Sequence, residues 1–293
     1  MRPIVDAETR VAVVGITGKA ARHHTQNMKR YGTRVVAGVR PGAAGEWVEG
    51  VRVFDTTADA MRETGANAAV LFVPSGAIRQ AAMEALDAGL PLLVMVPEHV
   101  PLHDTMAIVE RAQEVGALVV GPNTPGLIRP SVSCKLGFLP EAYFTPGPIG
   151  VASRSGTLHY EMVRRLTAAG LGQSTCVGVG GDGVVGTTFA DMLRHFEQDD
   201  ETEAVLLVGE IGGTMEEDAA DMVAAGEFTK PVVAFVAGRN APTDKRMGHA
   251  GAIIAAGRGS IESKVKAFAR AGIALADSPK DMVPLLQGAL KKA

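Results

Sequence analysis

Residues 11–24 read VAVVGITGKAARHH, and this stretch decides the fold. Four consecutive apolar residues, a glycine turn and a polar segment with helical spacing are typical of a parallel strand that leads into a helix. The same alternation of Val-rich runs, Gly or Pro breaks and helical segments continues outward through the first half of the chain. It predicts a doubly wound parallel sheet with strands at 11–15, 35–39, 51–54, 69–74, 92–96 and 118–121.

The alternation stops between residues 122 and 148, where Pro and Gly recur in GPNTPGLIRP and FLPEAYFTPGP. It then restarts, and it predicts further strands at 150–152, 175–179, 204–208, 232–236 and 273–276. We therefore predict an α/β protein with a first domain at residues 1–125, a linker at 126–147 and a second, flavodoxin-like α/β domain at 148–293.

Composition excludes several classes of protein. The formal net charge is -3 with Lys and Arg spread along the chain, so no basic surface for nucleic acid is expected. Two cysteines cannot supply a disulfide framework or a Cys-rich metal site, and we predict no metal site in this chain. Because no leader-like segment or run of 18 uncharged apolar residues occurs, we expect a cytoplasmic protein that does not contact a membrane.

Two Gly-containing turns after predicted strands could bind phosphate. GITGKAARHH, at 15–24, opens the first predicted helix, whose free N–H groups and dipole favour anions. It fails the dinucleotide pattern G-x-G-x-x-G because Thr17 replaces the second Gly, and the chain has no Walker motif. SRSGT, at 153–157, also begins a helix, where an ordinary serine N-cap explains the sequence as well as a phosphate site does.

Two further loops carry side chains that could take part in catalysis. VGEIGGTMEED, at 208–218, places Glu210 at the end of a predicted strand, where it is either a solvated group or a partner for a catalytic residue. KRMGHAGAI, at 245–253, places His249 between two glycines. A histidine with an ordinary pKa is largely neutral and nucleophilic at cytoplasmic pH, although an isolated histidine is as often structural.

Taken together, seven segments resemble the ordered motifs of succinyl-CoA synthetase (succinate–CoA ligase) α subunits: GITGKAARHH, GPNTPG, SRSGTLHYE, GQSTCVGVGGD, VGEIGG, KPVVAFVAGR and KRMGHAGAI. The resemblance implies a Rossmann-like CoA-binding domain followed by a domain that carries a phosphohistidine. It also implies a separate ATP-grasp β subunit, in an αβ or α2β2 assembly, that binds ATP or GTP with Mg²⁺. The third substrate is then a small carboxylic acid.

The resemblance also implies a role for individual residues. His249 would carry the phosphate, and Glu210 would hydrogen-bond to its ring. The remaining residues matched to the family's active site would bind phosphate (Ser153, Ser155 and Gly156) and substrate (Tyr160). The residues matched to its CoA site are Thr17, Gly18, Lys19 and Ala20 in the first turn and Val96, Pro97 and Glu98 after the fifth predicted strand.

The chain departs from the family at several positions. RPGAAG, at 40–45, replaces the usual TPGKGG, so Ala43 stands where a CoA-binding lysine is expected, and Arg40 is the candidate substitute. Thr124 and GGDGVVG, at 180–186, also differ from the usual pattern. The alternatives are therefore a ligase for malate or another dicarboxylate, a non-catalytic CoA-binding protein, and a nicotinamide-dependent dehydrogenase, which the first turn fits poorly.

Overall fold

The computed structural model describes residues 3–238 and 259–291, so the predicted catalytic residue His249 lies outside the described residues. The described chain divides into two compact units. The N-terminal unit consists of Ile4–Glu141 with Val184–Gly186, and the C-terminal unit contains Ala142–Gly183 and the described residues from Thr187 onward. The boundary between the two units, at 141–142, falls inside the segment 126–147, which was predicted as a linker.

The N-terminal unit is built on a sheet with strand order β3-β4-β2-β1-β5-β6-β7. All neighbouring strands run parallel except the β3–β4 pair. The strands are β1 (Arg10–Val14), β2 (Arg34–Val39), β3 (Trp47–Val48), β4 (Val51–Phe54), β5 (Ala68–Leu71), β6 (Leu92–Met95) and β7 (Leu118–Val120). The predicted doubly wound sheet is confirmed.

Four helices pack against this sheet: α1 (Lys19–Tyr31), α2 (Thr57–Thr64), α3 (Ile78–Asp87) and α4 (Leu102–Val115). The central strands β5 and β6 are buried along their length, and β1 is buried except for its first residue, Arg10, because helices cover both faces of the sheet. Leu71, Leu93, Ile78 and Ile108 are fully buried in the resulting core. This core fixes the strand ends, and hence the loops that follow them.

The segment predicted as a linker, 126–147, contains regular structure. Strands β8 (Gly126–Arg129) and β9 (Cys134–Gly137) form an antiparallel hairpin inside the N-terminal unit. Every residue of both strands is buried, so they show none of the apolar–polar alternation by which a short hairpin is recognised. The cysteines of the chain, Cys134 and Cys176, are buried and unpaired, and burial raises the pKa of the Cys134 thiol to about 12.

The C-terminal unit contains parallel strands in the order β14-β13-β12-β10-β11. They are β10 (Pro146–Ser153), β11 (Gln173–Gly178), β12 (Ala204–Glu210), β13 (Val232–Ala237) and β14 (Ala274–Ala276). In sequence order this is the 2-1-3-4-5 arrangement of flavodoxin-like folds, which confirms the predicted fold class.

The helices of the C-terminal unit are α5 (Gly156–Ala168), α6 (Phe189–Glu197), α7 (Met215–Ala224), α8 (Ile261–Arg270) and α9 (Met282–Leu290). Their starts follow local chemistry. At α6, Thr188 and Asp191 form a capping box, in which each side chain accepts a hydrogen bond from the other's backbone N–H. No helix in the described ranges is long and apolar enough to cross a bilayer.

Candidate functional site

The carboxyl edge of the N-terminal sheet brings together the loops that were predicted to bind CoA. Three backbone hydrogen bonds continue the ladder past the strand ends: Gly15 N–H to Val39 O (2.9 Å), Phe72 N–H to Val14 O (2.9 Å) and Val96 N–H to Leu71 O (3.3 Å). The loops after β1, β2, β5 and β6 therefore lie along one edge, where open α/β sheets bind ligands.

The turn after β1 presents an uncapped helix start. Gly15 has φ +81°, a conformation that favours glycine, and Gly18 precedes α1 in extended conformation. No side chain caps α1, and its first turn contains no acidic residue. Gly18, Lys19 and Ala20 are exposed, with Thr17 half-buried, so first-turn N–H groups and a lysine face solvent together. This arrangement suits a phosphate group.

A cavity of about 140 Å³ adjoins this turn. Its walls come from the ends of β1 and β2, the segment after β5 and one face of α3: Val14, Gly15, Val39, Arg40, Pro41, Val73, Ala77, Gln80, Ala81 and Glu84. Most of these side chains are apolar, while Arg40 brings a positive charge and Glu84 a negative one, whose Oε1 accepts a hydrogen bond from Thr57 N–H at 2.7 Å. The cavity can therefore take an apolar or aromatic group whose anionic substituents reach Arg40.

The loop at 40–45 has no cation at the position of the family lysine. Ala43 is only 2% exposed, and its side chain faces the interior. The N–H groups of Ala43 and Ala44 donate to Asp55 Oδ1 at 3.1 and 3.0 Å, which fixes the loop. Arg40, by contrast, is exposed and lines the cavity. Val96 and Pro97 are half-buried and Glu98 is exposed on the same edge.

In the C-terminal unit the SRSGT segment joins β10 to α5. Ser155 is the N-cap of α5, and its Oγ accepts a hydrogen bond from Leu158 N–H at 3.3 Å. Ser153 is buried, and its Oγ donates to the Ser155 carbonyl at 2.8 Å. Both hydroxyls thus shape the turn. The N–H of Gly156 belongs to the first turn of the helix and has no partner within it, so the cap leaves room for an anion.

Glu210 is at the end of β12 and lies in a network of buried charges that sequence reasoning missed. Arg154, between the two serines, contacts Glu210 Oε1 through Nη2 at 3.4 Å. Its Nη1 donates to Gly212 O at 2.8 Å and to Glu216 Oε1 at 3.2 Å. Lys264, on α8, donates to Glu216 Oε2 at 2.5 Å.

The helical spacing of two of these residues could have revealed the network. Glu216 precedes the buried Ala219 and Ala220 on α7, and Lys264 precedes the buried Ala267 and Phe268 on α8. A charged residue three and four positions before apolar ones lies on the buried stripe of a helix. Buried charges need partners of opposite sign, so each residue indicated the other.

Glu217 completes the network at its solvent side. Its carboxylate accepts hydrogen bonds from Lys264 Nζ at 2.8 Å and Ser263 Oγ at 2.7 Å. Burial alone would raise the pKa of Glu217, but these hydrogen bonds outweigh it and the pKa lies below the usual value. Glu217 therefore stays ionised and shares the charge of Lys264.

Tyr160 and His159 lie on α5, one turn beyond the cap. Tyr160 is half-buried, and burial raises the pKa of its phenol to about 12, so it is a neutral hydrogen-bonding group. His159 is fully buried beside Phe144, and neither ring nitrogen has a hydrogen-bond partner in the described structure. Burial lowers the pKa of His159 to about 3.

Replacing His159 by leucine should make the protein less sensitive to acid. Between pH 6.5 and 3 the unfolded chain binds a proton that native His159 does not, so the free energy of unfolding falls by about 1.4 kcal/mol per pH unit. As the pH falls from 6.5 to 5, we expect the free energy of unfolding of His159→Leu to decrease by about 2 kcal/mol less than that of the unmodified chain.

Calorimetric unfolding at the two pH values measures this difference. His103→Gln, which changes an exposed histidine on α4, is the control and should keep the original pH dependence. An equal acid response of His159→Leu and the unmodified chain would show that His159 is not the group concerned.

The predicted residues thus fall into two sets. Those for CoA share the carboxyl edge of the N-terminal sheet, and in the C-terminal unit Arg154 connects the Ser153–Ser155 turn to Glu210. His249 is not among the described residues. Within residues 3–238 and 259–291, no group of three or more His, Cys, Asp and Glu side chains could hold a metal ion.

Family models match both halves of the chain. A CoA binding domain matches residues 6–99, and a CoA-ligase domain matches residues 152–274. The first range contains the turn after β1 and the β6 loop, and the second contains SRSGT and Glu210. Each match therefore coincides with one of the two sites described above.

Among solved structures, the chain resembles ATP citrate lyase from Methanothrix soehngenii in complex with citrate and coenzyme A, with a TM-score of 0.87 and 23% identity. It also resembles a dinucleotide forming acetyl-coenzyme A synthetase from Ca. Korarchaeum cryptofilum, with a TM-score of 0.74 and 23% identity. The matches cover 99% and 92% of this chain but 51% and 58% of those chains. At this identity the likeness concerns the fold.

The chain has much closer relatives in sequence. It is 50% identical over 286 residues to "Succinate--CoA ligase [ADP-forming] subunit alpha 2" of Archaeoglobus fulgidus, covering 98% of this chain and 99% of that protein. It is 47% identical over 293 residues to the α subunit of the same name from Staphylococcus aureus, covering 100% and 96%. This chain therefore belongs to the family of succinate–CoA ligase α subunits.

Proposed function

We propose that this chain is the CoA-binding and phosphohistidine-carrying α subunit of a nucleoside-diphosphate-forming acid–CoA ligase, with succinate as its acid. The observation that carries this proposal is the identity of about half of all residues, over nearly the whole chain, to proteins named as ADP-forming succinate–CoA ligase α subunits. We expect it to act in the cytoplasm, where CoA and nucleoside triphosphates are available.

Three features of the carboxyl edge of the N-terminal sheet support the proposal that CoA binds there. The uncapped start of α1, with Thr17, Gly18, Lys19 and Ala20, would hold the diphosphate. The adjoining cavity would receive an apolar or aromatic part of the cofactor, with Arg40 at its side. Val96, Pro97 and Glu98 border the same edge.

His249 would divide one difficult reaction into three transfers. A ring nitrogen attacks the γ-phosphorus of ATP or GTP, and ADP or GDP leaves. A carboxylate oxygen of the acid then attacks that phosphorus and breaks the P–N bond, which gives an acyl phosphate and free histidine. Finally the CoA thiolate attacks the acyl carbon, and inorganic phosphate leaves as the C–O bond breaks.

The C-terminal unit would support these steps with groups whose positions are fixed. The start of α5, with Ser153, Ser155 and Gly156, would bind the phosphoryl oxygens. Glu210 would accept a hydrogen bond from one nitrogen of the His249 ring and leave the other to attack. Tyr160, a neutral phenol, would donate a hydrogen bond to the acid.

A β subunit of the ATP-grasp type would supply the nucleotide site, together with Mg²⁺. This partner is inferred from the name "subunit alpha" of the relatives and from the lack of any Walker motif in the chain. We propose an αβ or α2β2 assembly.

The identity of the acid is the least constrained part of the proposal. Succinate is favoured by the relatives' names, whereas the departures at Thr124 and 180–186 weaken that assignment and leave malate or a related dicarboxylate as the alternative. A ligase assay of the chain with its partner, in which succinate, malate and other acids are compared by kcat/KM, tests the choice. Succinate should give the highest kcat/KM. A higher kcat/KM for another acid would mean that this acid, and not succinate, is the substrate.

Replacing Arg40 by alanine should weaken CoA binding about ten-fold or more. A charge-assisted hydrogen bond to phosphate contributes about 1.5–3 kcal/mol, and Ala43 supplies no other cation in this loop. Titration calorimetry with CoA measures the change. Arg34→Ala is the matched control, because Arg34 begins the strand that Arg40 follows and lies at the opposite edge of the sheet. Equal affinities for the two variants would assign the contact to Lys19, Arg22 or backbone N–H groups.

A further inference from the structure

Glu216 occupies the centre of the buried charge network. It is completely buried, although it carries a carboxylate. Its Oε1 accepts hydrogen bonds from the backbone N–H of Glu210 at 3.0 Å and from Arg154 Nη1 at 3.2 Å. Its Oε2 accepts one from Lys264 Nζ at 2.5 Å. One carboxylate thus connects the end of β12, the SRSGT turn and α8.

The backbone leaves space for this carboxylate at one position. A Cβ atom on Gly209 would lie 2.4 Å from Glu216 Oε1, so a glycine is required immediately before Glu210. Arg154 also donates to the carbonyl of Gly212 at 2.8 Å, and Lys264 to that of Gly213 at 3.0 Å. The two cations that Glu216 holds therefore fix the loop on the far side of Glu210 as well.

We propose that Glu216 is a positioning residue for Glu210. Glu216 fixes the backbone of Glu210 directly, and it holds Arg154, whose Nη2 forms an ion pair with Glu210 Oε1 at 3.4 Å. The inference rests on the proposed function, in which Glu210 orients the histidine. A misplacement of about 1 Å in such a group can lower a rate about 100-fold, so the network would act on catalysis without touching substrate.

The test variant removes one charge of each sign. Glu216→Gln alone would leave two buried cations without their shared carboxylate, whereas Glu216→Gln/Lys264→Met keeps the net charge of the interior. The matched control is Asp221→Asn/Arg270→Met, which removes an exposed ion pair between the same two helices. Each protein is paired with its ATP-grasp partner, and phosphorylation by γ-labelled ATP is followed in a single turnover.

We expect the Glu216→Gln/Lys264→Met protein to be phosphorylated at least about ten-fold more slowly, with CoA affinity unchanged, while the control keeps the full rate. Adding Glu210→Gln to the Glu216→Gln/Lys264→Met protein should slow phosphorylation no further, because both changes act through the Glu210 carboxylate. If Glu216 had a purely structural role, the Glu216→Gln/Lys264→Met change and the Glu210→Gln change would each lower the phosphorylation rate independently. Their fold-losses in rate would then multiply. Full-rate phosphorylation of the variant or multiplied losses would overturn the inference.

Two further results separate the possible failures. If the unmodified pair takes up no label, the proposed function is wrong, and the positioning role falls with it. If Glu216→Gln/Lys264→Met does not fold, Glu216→Asp keeps both cations paired while withdrawing the carboxylate by one methylene. This variant should show the same slowing and the same lack of additivity with Glu210→Gln, and a full rate would overturn the inference.

Discussion

The His249→Asn protein, paired with an ATP-grasp β subunit, is expected to take up no phosphate from ATP and to make no acyl-CoA. Asparagine keeps much of the size and polarity of the imidazole but has no nucleophilic ring nitrogen. The proposed reaction passes through that nitrogen twice, first as nucleophile and then as leaving group. Its loss therefore removes turnover, while folding and CoA binding should persist.

Glu210→Gln is the comparison for this experiment. It removes a charge that orients the ring and leaves the nucleophile in place, so phosphorylation should be slowed and not abolished. Both proteins are checked for CoA affinity and for assembly with the partner. Ligase activity in His249→Asn, or complete loss in both variants together with normal assembly, would contradict the assigned roles.

The chain on its own is expected to show no nucleotide-dependent ligase activity. The sequence has no Walker motif, so nothing in it is expected to hold a triphosphate in position for transfer. Adding the partner should raise turnover from undetectable to a value on the order of 1–10³ s⁻¹, the range of typical enzymes. ADP release measured with acid and CoA present gives the rate.

CoA binding by the isolated chain is the control for that assay. The predicted CoA-binding residues come from the N-terminal unit alone, so the affinity measured by calorimetry should be retained without the partner. Retained CoA affinity together with absent turnover would support the proposal that this chain binds CoA and that its partner binds the nucleotide. Turnover by the isolated chain would contradict it.

Most strands of the fold were predictable because parallel strands covered by helices are apolar without interruption. The prediction at 51–54 matches β4, and that at 204–208 matches β12 except for its last two residues. Strand β3 escaped because it has two residues, and the β8–β9 hairpin because its short strands are entirely buried. In both cases the stretch is too short for a period to show.

The candidate sites were predictable to different degrees. Turns that open helices are visible in sequence, so GITGK and SRSGT were predicted as possible phosphate sites from physical reasoning, whereas the roles proposed for Glu210 and His249 required the resemblance to a family. Helical spacing indicates that Glu216 and Lys264 are buried, but these residues and Arg154 are far apart in sequence, and only the fold shows that their charges meet. The inward position of Ala43 likewise depends on the hydrogen bonds from its loop to Asp55.

The role of His249 as the phosphate carrier is tested most directly by labelling the paired, unmodified chain with ATP that carries a labelled γ-phosphate. A phosphohistidine is stable in base and labile in acid, whereas a phosphoserine is not labile in acid. We expect one acid-labile, base-stable phosphate on His249, which leaves when the carboxylic acid substrate and CoA are added together. Label that survives treatment at acidic pH, or that stays when the carboxylic acid substrate and CoA are present, would contradict this role of His249. Label that still forms in His249→Asn would contradict it as well.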